Sequence, residues 1–218
     1  MQNNATRVEK DSLGEFAVPQ TAWYGIQTAR AVANFPISGR MPDRDFVLAH
    51  VRIKRAAAVA NLQPEWLDQT RAAAIIAACD RVLKGEMLDQ FVVDRFQAGE
   101  GTRHNMNTNE VIANLANVAL GGQRGVYTPI HPNDHVNMGQ STNDTIPTAI
   151  RLAALAKLPR LCAAVEAMAN EYTRLGAQER DTVKSGRTHL QDAVPTTLGR
   201  EFAAYAWTLN RCVKRLQN

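Results

Sequence analysis

Cysteine is scarce in this chain, with three in 218 residues, at Cys79, Cys162 and Cys212. An odd count at wide spacing, each inside a helical pattern, argues against a disulfide framework and against a zinc site. Reduced thiols in a cytoplasmic protein are the expectation. No run approaches about 18 uninterrupted apolar residues, so no membrane span is expected. The opening MQNNATRVEKDS lacks an apolar core, so no signal peptide is expected either. Basic residues are interspersed with acidic ones, and no basic patch is interleaved with aromatics. The densest basic stretches, residues 52–55 and 211–215, lie on helical patterns with apolar neighbours. Nucleic acid is therefore not an expected partner. GEGTRH lacks the GK[ST] ending of a phosphate loop. His131 and His135 stand four apart, but Pro132 between them argues against a helical metal pair. No metal and no cofactor is expected, and no Ser/His/Asp order is compelling.

What is present is a chain with material for a core. Hydrophobic residues make up 45%, and 25 basic against 21 acidic residues leave a net charge of +4. That modest positive field favours a small acidic substrate. Residues 1–42 are irregular, punctuated by Gly14, Pro19, Gly25, Pro36, Gly39 and Pro42. Apolar residues recur at helical spacing over 46–61. Pro64 then fits the first turn of a second helix that Gly85 would stop. A short helix is expected over 87–94, a glycine-containing loop over 97–105, and a helix NEVIANLANVAL ended by Gly121 and Gly122. A second polar loop covers 123–146, a long helix runs from Pro147 to about Leu175, and a third polar loop covers 184–195. Pro195 opens the last helix. The expected fold is mainly α, with at most a short hairpin near the amino terminus. An amino-terminal helical domain, residues 1–142, would lead into the first long helices of an incomplete central bundle, residues 143–218. Those helices should carry an apolar stripe with no partner inside these residues.

The stretch GQSTNDTIPTAI, residues 139–150, packs six short hydrogen-bonding side chains ahead of an apolar helix. One reading is capping of free backbone N–H groups. The other is a grip on a small anion, because hydroxyls and helix-start N–H groups suit a carboxylate. The other two polar loops share this composition. GEGTRHNMN offers Thr102, His104, Asn105 and Asn107, and SGRTHLQD offers Arg187, Thr188, His189 and Gln191. Three donor-rich loops at helix starts would make an anion pocket if they converged, although a lone histidine such as His189 is more often structural.

These motifs resemble a family. RVEKDSLGEFAVPQTAWYGIQTARAVANFPISG is similar to the amino-terminal segment of the aspartase/fumarase superfamily. GTRHNMNTNEVIAN resembles its first conserved region, HPNDHVNMGQSTNDTIPTA the neighbouring part of the active site, and GRTHLQDAVPTTLGREF its second region. YGIQTARAVANFPISG and LQDAVP look more like the aspartase branch than the fumarases. The resemblance implies reversible deamination of L-aspartate to fumarate and ammonia, begun by removal of a Cβ proton. The carbanion would be delocalised into the β-carboxylate, and preorganised donors would hold that dianion. It further implies that Thr102, Ser141 and Thr142 bind the β-carboxylate. Asn143, Thr188 and His189 would face the amino group and the α-carboxylate, with His189 and Thr188 as the catalytic residues. His131, Asn133 and Asp134 match a second site known in fumarases, for which a loop-bracing network is the competing reading.

The chain departs from the family pattern in places. Glu100 stands between two glycines where a small residue is usual, Gly139 replaces a usual Ser, and Arg200 a usual Gln. No GSSxMPxKxNP stretch occurs in these residues. In the family that loop carries the Ser general base and the Lys and Asn that hold the α-carboxylate. The resemblance thus implies an amino-terminal portion, inactive alone. It would assemble as a homo-oligomer, a tetramer in the family, or with a complementing carboxyl-terminal chain. A fumarase-like fragment and a non-catalytic assembly or dicarboxylate-binding module are the alternatives.

Overall fold

The computed structural model describes residues 5–64 and 66–218. The leader expectation falls partly on residues 1–4 and to that extent lies outside the described residues. The chain divides into two compact units, residues 1–154 and 155–218. The first begins with an antiparallel hairpin of β1 (Thr6–Asp11) and β2 (Gly14–Pro19), followed by helices α1 (Ile26–Asn34), α2 (Arg44–Leu62), α3 (Gln69–Leu83) and α4 (Thr102–Ala119). A 3-10 turn (Leu88–Gln90) and a π-helical turn (Pro132–Val136) interrupt the connections. Helix α5 (Thr142–Gln178) starts in this unit.

The first core forms where three helical stripes meet. Val47, Val51 and Ala58 of α2 face Ala72, Ile75, Cys79 and Val82 of α3 and Val111, Ile112 and Leu115 of α4. Ile130 and Val136 close it from the following loop. Burying these side chains is the main stabilising term, about 1.5–3 kcal/mol for each large one. Ala49 packs on Ala149 and Ala153, and such small residues let α2 and α5 approach closely.

Some expected boundaries shift. Pro64 does not open α3; Asp68 does, its carboxylate accepting from the Arg71 N–H at 3.0 Å. A side-chain oxygen can satisfy a free N–H at a helix start, and proline cannot. The first polar loop is shorter than expected, because α4 begins at Thr102 with Gly101 in the left-handed region at φ 78°. The expected short helix over 87–94 is only the single 3-10 turn.

In the second unit, the end of α5 packs against α6 (Leu198–Gln217), with Tyr172 stacked on Phe202 at 5.9 Å and edge-on to Tyr205 at 5.4 Å. Gly199 lies against the backbone of Gly176 and Arg180, where any Cβ would collide. The third polar loop is instead a hairpin of β3 (Val183–Thr188) and β4 (Gln191–Thr197). Pro195 sits in β4, opposite Ser185 and beside a register shift, so it does not open the last helix. Thr197 caps α6, accepting from the Arg200 N–H at 3.3 Å. Leu155, Leu161, Met168 and Trp207 are exposed on these helices.

Candidate functional site

The run after Gly139 resolves into separate jobs. Ser141 is the cap of α5: its carbonyl accepts from the N–H groups of Asp144 and Thr145 at 3.1 and 3.0 Å, and its hydroxyl accepts from the Asn143 N–H at 3.2 Å. The Thr142 hydroxyl oxygen accepts from the Asn105 side-chain amide at 3.3 Å. The side chains of Thr102 and Asn143 make no hydrogen bond among the described residues.

Asn105 lies one turn into α4, so its bond to Thr142 brings the starts of α4 and α5 side by side. Gly101 makes this approach feasible, since a Cβ there would come within 2.8 Å of the Ile146 side chain. Helix α4 has no side-chain cap and no acidic residue in its first turn. Its first N–H groups and the positive end of its dipole are therefore open to an anion. Glu100, whose charge would oppose one, is exposed and forms no ion pair among the described residues.

Behind these two helix starts lies a residue that sequence reasoning missed. Lys54 of α2 is fully buried. Its ammonium donates to Asn105 Oδ1 at 2.6 Å, Asn137 Oδ1 at 2.8 Å and Gln140 Oε1 at 3.0 Å. Burial pushes its pKa down to about 7, while the three charge-assisted bonds favour the ammonium. A signal for it existed: Val47, Val51, Lys54 and Ala58 share one helical face, and three of the four are apolar core.

The candidate second site is a braced turn. His131 Nδ1 accepts from the N–H groups of Asn133 and Asp134, both at 3.3 Å, and lies 3.2 Å from the Asp134 carboxylate. His135 Nδ1 accepts from the His131 N–H at 2.8 Å, so both rings serve the backbone of the π-helical turn. Among the described residues no group of three His, Cys, Asp or Glu is placed to hold a metal.

Thr188 and His189 belong to the second unit, at the tip of its hairpin. His189 and Leu190 form the two-residue turn with φ of 49° and 60°, both left-handed. Such turns favour Asn-Gly, and their absence is why the hairpin went unread in the sequence. Both residues are exposed, Leu190 at 97%.

The family described as lyase matches residues 14–218. The chain belongs to this lyase family. Curated aspartate ammonia-lyases from a Bacillus species, Pseudomonas aeruginosa and Escherichia coli are 45%, 48% and 47% identical over 99%, 98% and 100% of the chain. These lyases are longer: the chain covers 46%, 45% and 46% of them, and the matching part is their amino-terminal portion. A crystal structure titled fumarate lyase:delta crystallin, from Brucella melitensis, superposes with a TM-score of 0.91 at 49% identity, over 98% of this chain and 50% of that one. A class II fumarase from Schistosoma mansoni superposes at 0.87 with 36% identity, over 96% of this chain and 44% of that one.

Proposed function

We propose that this chain supplies the amino-terminal part of an ammonia-lyase that interconverts L-aspartate with fumarate and ammonia. The observation that carries the reading is the pairing of the starts of α4 and α5, where hydroxyls gather beside the uncapped first turn of α4, which holds no acidic residue. In this reading Thr102, Ser141 and Thr142 receive the β-carboxylate and stabilise the charge that grows on it as the Cβ proton leaves. The family resemblance likewise assigns Asn143, Thr188 and His189 to the amino group and the α-carboxylate. The strained turn at His189 supports a functional role for that tip, because left-handed non-glycine residues cost free energy and concentrate at functional sites.

The proton needs a base within reach. By the family resemblance, that base is the Ser of the GSSxMPxKxNP loop, which these residues do not contain. The reading therefore includes a homo-oligomer or a complementing carboxyl-terminal chain, supported by the exposed Leu155, Leu161, Met168 and Trp207. Residues 1–142 form the amino-terminal lyase domain and 143–218 the start of the bundle. A cytoplasmic setting is supported by the buried, unbridged thiols of Cys79 and Cys162. His131, Asn133 and Asp134 are read as a brace for their loop.

The test is fumarate formation, followed by ultraviolet absorbance, from L-aspartate and separately from L-malate. The chain is assayed alone and mixed with the carboxyl-terminal half of a homologous aspartate ammonia-lyase. Fumarate from aspartate in the mixture supports the reading. Activity on malate alone moves it to a fumarase. Silence on both overturns it in favour of a non-catalytic module.

A further inference from the structure

Among the described residues Lys54 is a buried cation with no carboxylate in its contacts, and its surroundings define a chain of donors and acceptors. An ammonium has three N–H donors and no acceptor, and here it meets three amide oxygens. This settles which way Asn105 faces. With Oδ1 turned to Lys54, its amide nitrogen donates to Asn137 Oδ1 at 3.1 Å and to Thr142 Oγ1 at 3.3 Å. Once the Thr142 oxygen accepts that bond, its own proton is left to donate elsewhere. The same bonds hold the loop before α5, where the Asn137 amide donates to the Gln140 carbonyl at 3.1 Å and the Gln140 amide to the Val136 carbonyl at 2.9 Å.

We propose that Lys54 is a positioning residue for anion recognition: its ammonium orients Asn105, Asn137 and Gln140, and through Asn105 commits the Thr142 hydroxyl to donate outward to a ligand carboxylate. The proposal rests on reading Thr142 as a carboxylate donor. A neutral amine offers two donors to three oxygens, so one of these oxygens loses its bond from Lys54. A methionine offers none, and Asn105 is then free to turn its oxygen toward Thr142 and take up the hydroxyl proton.

The groups around Lys54 leave its charge readable. His50 faces it from α2 and stays neutral above about 3, chiefly through burial. Cys79 faces it from α3, and burial pushes its thiol up to about 12. Asn105 on α4 and Asn137 and Gln140 in the loop do not titrate. Where the folded pKa is lowered, the unfolded chain binds the proton more tightly above about 7, so losing this charge does not weaken the fold as a whole. Loosening confined to the loop is thus separable from unfolding.

The experiment is amide hydrogen exchange on the ligand-free chain from about pH 6 to 9, corrected for intrinsic rates, in the wild type and in Lys54→Met. In the wild type, protection over residues 137–145 is expected to fall about tenfold with rising pH, the scale of one hydrogen bond, while α3 stays protected. In Lys54→Met it is expected to be low and flat. A flat wild-type profile overturns the proposal even if the variant does not fold, and equal protection in both proteins does the same. Fumarate titration of the same proteins, each mixed with the complementing carboxyl-terminal half, separates the two readings. A pH-dependent loop without fumarate binding retains the loop-ordering role of Lys54 and counts against the proposed function, whereas binding that Lys54→Met leaves unchanged overturns its role in recognition.

Discussion

Glu110 is the residue whose loss should cost most. It is fully buried on α4, yet its carboxylate serves α1. It accepts from the N–H groups of Gly25, Gln27 and Thr28 at 3.0, 2.9 and 3.0 Å, and from the Thr28 hydroxyl at 2.6 Å. Gly25, the residue before α1, has no side chain to cap the helix, so Glu110 does so from a distance, with Glu9 taking the Ile26 N–H at 2.8 Å. Burial pushes the Glu110 pKa up, and the bonds from Thr28, Gln27 and Gly25 pull it back. In Glu110→Ala three backbone N–H groups lose their partner. At about 1–3 kcal/mol for each buried unsatisfied group, with water reaching some of them, the expected loss is about 3–5 kcal/mol. Glu110→Gln keeps one oxygen but turns an NH2 toward donors, and about 2 kcal/mol is expected. Urea unfolding reads both, as a lower midpoint at unchanged slope. A cost below about 1 kcal/mol for the alanine variant, less than one such group, would refute the capping argument.

Four further outcomes are expected. Asp94 accepts from Phe96, Ser38 and Gly39, and these bonds, the Phe96 N–H foremost, hold its pKa down at about 2. Its contribution is present above the ordinary value of 3.8 and lost as pH falls through about 2, so the melting curves of wild type and Asp94→Asn should converge at the acid end. In a complemented, active enzyme, Thr142→Ala should lower kcat at least about a hundredfold, the worth of one transition-state donor, and an unchanged rate removes Thr142 from the site. Leu190→Gly relieves a left-handed leucine and should raise hairpin stability by about 1 kcal/mol, read as slower amide exchange over residues 183–197. Cys79 is buried with its thiol pushed up to about 12, so Ellman's reagent should label Cys212 well before Cys79, and the reverse order would contradict the core packing.

The sequence by itself determined the elements whose signals are local. Apolar spacing marked α2, α3 and α5, and the polar run before α5 contained its cap, because capping needs only neighbouring residues. Three ordered motifs pointed to the family now shown for residues 14–218. The hairpin at 183–197 was illegible because its turn is His189-Leu190, two residues whose left-handed geometry no turn rule favours. Which groups face one another was decided by tertiary structure alone. Glu110 caps a helix 82–85 residues away, and Lys54 reaches Asn137 and Gln140 across 83 and 86. No local pattern encodes such partners, since they meet only when α1, α2, α4 and the loop before α5 share a core. Only there does burial make an unpaired charge or N–H costly enough to dictate how each amide is turned.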